Sequence, residues 1–320
     1  MSIENKEEVK IVFMGTPDFA RESLKKLVDE KFNVIACFTN PDKPSGRGMK
    51  SSMSEVKKYA IENNIPVYQP VKLRKNEEIL DILKKLNPDI IVVVAYGKIL
   101  PIEILELPKL GCINVHGSLL PNYRGAAPMQ WAIINGEEKT GITTMYMDKG
   151  MDTGDMLLKK EVIISDEDNF ETIHDKMKVV GANLLVDTLC KIMEGNIERI
   201  KQPLEGTIAP MIDKSMTHIN FNKNAKEIFN FVRGLSPVPG TYMETSDGKR
   251  YKVYKVGYDE TNEFNNIESG KIVRCNKKEL IIKCNNGIIS ILSIQPLNSK
   301  KMDIDSFLAG NNFDANTKFI

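Results

Sequence analysis

The N-terminal half of the chain alternates short apolar runs with helix-like segments, and this alternation constrains the fold more than any other feature. Residues 10–14, 33–38 and 90–95 are candidate strands, and the run at 90–95 is apolar throughout. Such a run is typical of a strand that is buried on both faces. At residues 169–193 apolar residues recur at steps of three and four, which predicts a long helix with one buried stripe. We therefore predict an α/β domain with a Rossmann-like, mostly parallel sheet. Its first loop lacks G-x-G-x-x-G, so no dinucleotide cofactor is predicted.

The C-terminal part has a different pattern. Residues 196–214 lack helix or strand periodicity and contain Pro203, Gly206 and Pro210, which predicts a linker. A helix is predicted over residues 224–235. Five short alternating segments follow, at residues 241–244, 251–256, 271–274, 280–283 and 288–294. Short strands separated by turns are typical of a small β-barrel. The predicted domains are residues 1–195 and, after the linker 196–214, a barrel over residues 215–320.

Composition sets broader limits. A chain of 320 residues can form two domains that each bury a core. The polar N-terminus and the lack of an 18-residue apolar run predict a cytoplasmic protein without a membrane span. Residues 206–320 carry 16 Lys and Arg against 12 Asp and Glu, which fits a phosphate-bearing partner or an ordinary solvated surface equally well. The five cysteines lack the spacing of zinc ligands or of a disulfide framework, so no metal is predicted.

One short segment concentrates residues that could perform chemistry. Asn114 and His116 lie two residues apart in a predicted strand at residues 112–116, so both side chains point to one face. Asp152 follows 36 residues after His116, in a turn bounded by glycines where a carboxylate could face the imidazole. The three supply a proton carrier, a group that orients it and an oxyanion donor. This set suits acyl transfer without a covalent intermediate.

Each of these residues also has a structural interpretation. An Asn-x-His pair in a strand can serve packing alone, and Asp152 stands in an ordinary turn composition. Competing candidates are few: His174 and His218 have no partner pattern, and the sequence around Ser118 is not G-x-S-x-G. The residues alone therefore leave a catalytic and a structural interpretation open.

The segments around these residues resemble the folate-dependent formyltransferases. The resemblance is carried by NVHGSLLPNYRGAAP, which begins at Asn114, and by GMDTGD, which begins at Gly150. Gly117, where Ala is more usual, and Trp131, where a basic residue is common, depart from the family pattern. Further segments are similar to the methionyl-tRNA formyltransferases in particular: VKIVFMGTPDFA at 9–20, NPDKPSGRG at 40–48, PDIIVVVAYGKILP at 88–101, RGLSPVPGTY at 233–242 and the tail at 294–310.

This resemblance implies an enzyme that transfers a formyl group from 10-formyltetrahydrofolate to the α-amine of methionine on initiator methionyl-tRNA, for translation initiation. Asn114 and His116 would donate to the oxyanion, and Asp152 would orient the imidazole. The C-terminal barrel would be oligonucleotide-binding-like and would bind tRNA, and we expect a monomer. The resemblance implies a folate pocket that is lined by Ser118, Leu119, Leu120, Pro121, Tyr96 and Gly97.

The loop at residues 40–50 carries three cations, Lys43, Arg47 and Lys50, among prolines and glycines. By composition alone this is a flexible basic surface loop. The resemblance implies instead an arm that enters the acceptor end of tRNA and brings its 3′ end to the active site.

Three other functions compete with this prediction. A formyl transferase for a sugar amine or for glycinamide ribonucleotide would share Asn114, His116 and Asp152, but would lack the basic loop and the barrel. A folate hydrolase or carrier would have no tRNA partner. A pure nucleic-acid binding module would need the barrel alone. The loop and the barrel argue against the first two, and the three site residues argue against the third.

Overall fold

The structure is a computed structural model that describes residues 6–45, 50–314 and 316–320. These residues form two compact units whose segments alternate along the chain. Unit 1 contains Met1–Gly125, Thr140–Val162 and His174–Ile208. Unit 2 contains Ala126–Lys139, Ile163–Ile173 and Ala209–Ile320. The domain bounds predicted from the sequence remain a prediction beside this division.

Unit 1 is built on a seven-stranded sheet with the order β10-β9-β7-β6-β1-β2-β5. The neighbouring pairs from β5 to β7 are parallel, and β9 pairs antiparallel with β7. The mostly parallel sheet predicted from the sequence is therefore confirmed. The strands are β1 (Ile11–Gly15), β2 (Val34–Phe38), β5 (Val67–Tyr68), β6 (Ile90–Val94), β7 (Cys112–His116), β9 (Lys139–Tyr146) and β10 (Met156–Ile163).

Helices connect the strands of this sheet along the chain, and short strands occupy its loops. Two helices begin with a capping side chain: Ser54 accepts from the backbone N–H of Lys57, and Asn76 accepts from that of Ile79. Strands β3 (Lys43–Ser45) and β4 (Lys50–Ser52) form an antiparallel hairpin, and β8 (Arg124–Gly125) follows β7. The helices are α1 (Asp18–Asp29), α2 (Glu55–Glu62), α3 (Glu77–Leu86), α4 (Ile102–Leu105), α5 (Pro128–Ile134, in unit 2) and α6 (Phe170–Met193).

Unit 2 contains an antiparallel sheet with the order β12-β13-β16-β15-β14, and β17 pairs with β16. Its helix α7 (Ala225–Gly234) begins with a capping box of Asn224 and Glu227. The remaining elements are β11 (Ile208–Ala209), a 3-10 turn at Lys214–Thr217, β12 (Thr241–Glu244), β13 (Arg250–Asp259), β14 (Ile272–Cys275), β15 (Leu280–Lys283), β16 (Ile288–Pro296), β17 (Met302–Asp303) and α8 (Ile304–Leu308).

The C-terminal residues close this second sheet. The backbone N–H of Ser246 donates to Lys318, and that of Ile320 donates to Glu244, both beside the edge strand β12. On the other side, the N–H of Phe319 donates to Gly270, next to the opposite edge strand β14. The tail thus bridges both open edges, and the predicted barrel is an antiparallel sheet closed by its own tail. No helix among the described residues has the length and apolar character that a bilayer crossing requires.

Candidate active site

Strand β7 presents Asn114 and His116 on one face of the unit 1 sheet, as the sequence predicts. His116 is buried, with 6% of its surface exposed. Its Nε2 lies 2.9 Å from the carbonyl oxygen of Tyr123. Because a carbonyl only accepts, Nε2 carries the proton in this contact. The other ring nitrogen, Nδ1, is then the atom left to exchange a proton.

Asp152 lies opposite both side chains. Its Oδ2 is 3.7 Å from Nδ1 of His116, and its Oδ1 is 3.4 Å from Nδ2 of Asn114. The backbone N–H of Gly125 donates to Oδ2 at 2.9 Å, which fixes the carboxylate. The structure therefore brings together Asn114, His116 and Asp152, which we call the site trio. Its members come from two segments that are far apart in sequence.

The turn that carries Asp152 has a constrained backbone. Asp152 has a φ of 56°, in the left-handed region that side chains other than Gly, Asn and Asp rarely adopt. Asp148 Oδ1 accepts from the N–H of Gly150 and from the hydroxyl of Thr153. A Cβ on Gly154 would overlap the carbonyl oxygen of Tyr146. This close approach explains why the turn contains a glycine there.

Two buried polar residues that support this turn have no signal in the sequence: Gln202, which contacts the turn, and Arg124, which contacts Gln202. Arg124 and Gln202 are 6% and 8% exposed, and the Gln202 amide donates to the carbonyl oxygens of Asp152 and Gly154. Arg124 was visible only as part of a motif, and Gln202 lay in the predicted linker. Their partners are backbone carbonyls and each other, so no spacing pattern marks them.

The loop predicted to line a folate pocket is tied to neighbouring strands. Thr143 Oγ1 donates to the carbonyl of Ser118 and lies 3.1 Å from the backbone N of Leu120. Lys159 Nζ donates to the carbonyl of Leu120 at 2.5 Å, and burial lowers the pKa of this lysine. The Leu120–Pro121 peptide bond is cis. Ser118 and Leu120 are buried, whereas Leu119 and Pro121 are half-buried and accessible to a ligand.

The predicted folate contacts at Tyr96 and Gly97 differ from each other. The Tyr96 ring is 1% exposed and packs in the core of unit 1, where burial raises the pKa of its hydroxyl. Its carbonyl accepts from Asn40 Nδ2 at 3.0 Å. Gly97 is exposed, with a φ of 72° and open space where a Cβ would lie. A ligand at this place would meet backbone rather than the tyrosine ring.

The predicted tRNA arm is described only in part. Lys43 begins β3 and Lys50 begins β4, and the two strands pair with Ser45 opposite Lys50. Arg47 stands between the two strands in sequence and lies outside the described residues.

His174 corrects one expectation. No partner pattern for it is visible in the sequence, but its Nε2 lies 3.6 Å from Asp18 and its Nδ1 lies 3.6 Å from Asp175. Lys178 Nζ also reaches Asp175, at 2.5 Å, and Asp18, at 3.7 Å. The positive charge of Lys178 already offsets these carboxylates, so the cluster is an ion-pair network on the helix surface.

Unit 2 contains a basic groove of about 580 Å³. Lys214, Arg250 and Lys252 line it, together with Tyr242 and the backbone at Gly240. The Arg250 guanidinium lies 5.0 Å above the centre of the Tyr242 ring. Lys214 and Lys252 are exposed and pair with no acidic side chain that the structure describes. We call this feature the barrel groove.

The chain matches one family along nearly its whole length. Residues 9–189 match the family model described as Formyl transferase, and residues 211–312 match Formyl transferase, C-terminal domain. The methionyl-tRNA formyltransferase of Caldanaerobacter subterraneus subsp. tengcongensis is 51% identical over 310 residues, which cover 97% of this chain and 99% of the relative. That of Clostridioides difficile is 50% identical and covers 96% and 98%.

Solved structures share the fold at lower identity. An N-formyltransferase from Helicobacter canadensis, in complex with folinic acid and dTDP-3-aminofucose, has a TM-score of 0.64 and 22% identity, over 92% of this chain and all of its own. HypX from Aquifex aeolicus, in complex with tetrahydrofolic acid, has a TM-score of 0.62 and 14% identity, over 94% of this chain and 46% of its own. At these identities the likeness shows the fold alone.

Proposed function

The chain belongs to the methionyl-tRNA formyltransferases of the formyl transferase family, and we propose that it performs their reaction at the site trio. In this reaction the formyl group of 10-formyltetrahydrofolate moves to the α-amine of methionine on initiator methionyl-tRNA, for translation initiation. The observation that carries the proposal is the convergence of Asn114, His116 and Asp152 in a chain with this relationship.

The reaction needs an oxyanion to be stabilised. The amine attacks the formyl carbon, and the carbonyl oxygen gains negative charge. Asn114 Nδ2 is only loosely held, at 3.4 Å from Asp152, so it can donate to that oxygen. A well-placed donor of this kind lowers a barrier by about 3 kcal/mol.

His116 carries the mobile proton. Its Nε2 proton is committed to Tyr123 at 2.9 Å, which fixes the ring plane and directs Nδ1 toward Asp152. The Nδ1–Oδ2 distance of 3.7 Å exceeds hydrogen-bond length, so a proton on Nδ1 stays available to the substrate. From there it can pass to the departing folate nitrogen, while the attacking amine passes its own proton through water to the Asp152 carboxylate.

The folate pocket is proposed beside the carboxyl ends of β6 and β7, where ligands bind in open parallel sheets. Leu119, Pro121 and Gly97 offer the accessible surface, while Ser118, Leu120 and Tyr96 act through backbone and packing. The bonds from Thr143 and Lys159 hold this loop in place before a ligand arrives.

Two basic surfaces are proposed to contact tRNA. The hairpin β3–β4 bears Lys43 and Lys50, with Arg47 between them in sequence. The barrel groove supplies the exposed Lys214 and Lys252 to phosphates of the tRNA backbone. We propose a monomer in the cytoplasm, where charged initiator tRNA is used; sedimentation of the purified protein tests the monomer.

The direct test is formyl transfer to charged initiator tRNA. Uncharged tRNA and elongator methionyl-tRNA are the controls, and a dTDP-linked amino sugar represents the competing sugar amine. We expect rapid formylation of initiator methionyl-tRNA only. Preferred formylation of the amino sugar, or release of formate without an acceptor, would contradict the proposal.

The tRNA surfaces are tested by salt dependence. Lys214→Ala and Lys252→Ala should each weaken tRNA binding and flatten the slope of log affinity against log salt by roughly 0.7 to 0.9. The slope changes because fewer counterions are released when one phosphate contact is lost. Arg47→Ala should likewise lower the efficiency of tRNA use while folate binding is retained. Lys277→Ala is the control, because this exposed lysine of the same unit lies outside the groove. Equal slopes in all four variants would remove these contacts from the proposal.

A further inference from the structure

Arg124 and Gln202 form a buried polar pair that the reaction outlined above does not use. Nε and Nη2 of Arg124 donate to Oε1 of Gln202 at 3.1 and 2.9 Å. Nη2 also donates to the carbonyl of Pro203 at 2.9 Å, and Nη1 to that of Leu204 at 3.4 Å. The part of the chain that the structure describes places no acidic side chain in a salt bridge with this guanidinium. Its charge is therefore held by neutral oxygens, with Gln202 as its main side-chain partner.

The guanidinium fixes which way the Gln202 amide points. Arginine only donates, so Oε1 must face it, and Nε2 is turned to the opposite side. There Nε2 donates to the carbonyl of Asp152 at 2.9 Å and to that of Gly154 at 2.7 Å. These two carbonyls flank the bend of the turn that carries the carboxylate.

Both ends of Asp152 are thus held by one dipeptide. Gly125 binds the carboxylate directly through its N–H, at 2.9 Å. Arg124, the preceding residue, holds the Asp152 carbonyl through Gln202. Asp152 has a left-handed φ of 56°, which Asp tolerates better than most residues, and these bonds hold it there.

We propose that Arg124 and Gln202 are positioning residues that hold the Asp152 turn so that its carboxylate faces His116. The guanidinium orients the Gln202 amide, and the amide holds the left-handed turn through two carbonyl oxygens. The turn then determines the distance between the carboxylate and the imidazole. The inference rests on the proposed function for its catalytic consequence, but the geometry can be tested independently.

Two substitutions of Gln202 separate its contact with Arg124 from its contacts with the Asp152 turn. Gln202→Leu removes the bonds to both sides at similar volume. Gln202→Glu keeps a partner for Arg124 but cannot donate to the carbonyls of Asp152 and Gly154. Because a misplacement of about 1 Å can cost on the order of 100-fold in rate, we expect both variants to lose roughly 10- to 100-fold in kcat. KM for folate and for tRNA should change by less than about threefold.

A double-mutant cycle tells a positioning role from a general loss of stability. If Gln202 acts through Asp152, adding Gln202→Leu to Asp152→Asn should lower kcat by less than about threefold. The pH–rate profile of Gln202→Leu should also shift in the same direction as that of Asp152→Asn. Thr188→Val is the matched control, because it removes a buried hydrogen bond, to Thr144, within the same unit. It should change stability without changing kcat.

A second measurement does not depend on activity. The Gly125 N–H is protected by the Asp152 carboxylate, so its hydrogen exchange reports whether the carboxylate is in place. We expect faster Gly125 exchange in both Gln202 variants and unchanged exchange in Thr188→Val. Unchanged Gly125 exchange, or multiplicative losses of kcat in the double mutant, would overturn the proposal. If the wild type does not formylate methionyl-tRNA, the proposed function fails, and the Gly125 measurement still decides the positioning role.

Discussion

At the scale of single residues, the site trio depends on two features. Sequence periodicity reveals the first, which is the strand that carries Asn114 and His116, but it does not reveal the second, which is the backbone conformation of Asp152. Asn114 and His116 share a face because side chains alternate along β7. Asp152 is placed by a left-handed turn, and its polar contacts come from Gly125 and Gln202, which lie in other segments of the chain. The first arrangement follows from local geometry and the second from contacts across the fold.

The residue that carries the mobile proton should dominate turnover. His116→Ala should lower the single-turnover rate of formylation by on the order of 100-fold or more, because positioned acid–base catalysis is worth about that factor. Folate affinity, measured by fluorescence titration, should stay within a few-fold of wild type. A rate within a few-fold of wild type would show that His116 is not the proton carrier.

Two substitutions of Asp152 separate the effect of its negative charge from the effect of its backbone conformation. Asn tolerates the left-handed region, so Asp152→Asn should fold normally and accept from Gly125, yet lose at least 10-fold in kcat. Asp152→Ala should lose activity and also about 1 kcal/mol of stability, because alanine disfavours this φ. Thermal unfolding and kcat of both variants provide the comparison. Full activity in Asp152→Asn would leave the residue a structural role only.

The three residues of the trio stand out in the sequence, and the residues that support them do not, for a physical reason. Gln202 and Arg124 are 78 residues apart in sequence and bind mostly carbonyl oxygens, which every residue possesses. No composition or spacing marks such a contact. The folate and tRNA residues named from the resemblance remain predictions of role, whatever their placement.

At the scale of elements, strands with an apolar or an alternating pattern are predictable from the sequence, and a strand with several buried threonines is not. All five residues of β6 are buried and apolar, and this run was recognised. Strand β9 was missed because Thr140, Thr143 and Thr144 are buried in it and break the apolar pattern. Their hydroxyls are satisfied by specific partners, such as Thr188 for Thr144, which only the folded chain supplies.

The tail that closes the unit 2 sheet offers an element-scale prediction. Phe319 is 1% exposed and contacts Phe221 and Phe313, with ring centres 6.0 and 5.4 Å apart. Phe319→Ala should therefore destabilise the protein by about 3 kcal/mol, as core Phe-to-Ala changes do. Ile320→Ala is the control, since Ile320 is 53% exposed and makes the adjacent backbone bond. Denaturant unfolding that fails to distinguish the two would show that the tail does not anchor the barrel.

At the scale of the whole molecule, two units interleave along the chain. Helix α5 packs against α7 within unit 2, and Arg233 Nη1 donates to the carbonyls of Ser165 and Asp168. Segments at 126–139 and 163–173 therefore depend on residues beyond 209. The domain bounds predicted from the sequence remain a prediction, because helix periodicity says nothing about which element a helix packs against.

This interleaving predicts how a truncated chain behaves. A fragment of residues 1–208 should unfold at a lower temperature than the full chain, because α5 loses its packing partner α7. In the full chain, Gly234→Ala should disturb the same helix contact and lower the melting temperature to a smaller extent, because the new Cβ would lie 2.8 Å from Ile134 Cγ1. Circular dichroism melting measures both. A fragment as stable as the full chain would contradict the division into these units.

The same feature bears on the recombination of such genes. A chimera with a single crossover near residue 209 would join the barrel of one parent to the α5 of another, although α5 and α7 form one packed pair. If the parents differ at Ile134 or at Gly234, the chimera would place in contact two residues that do not occur together in either parent. A stable chimera requires that residues 126–139 and 163–173 come from the same parent as residues 209–320. Natural and laboratory crossovers should therefore be tolerated when they occur together at all of these boundaries, and not at one boundary alone.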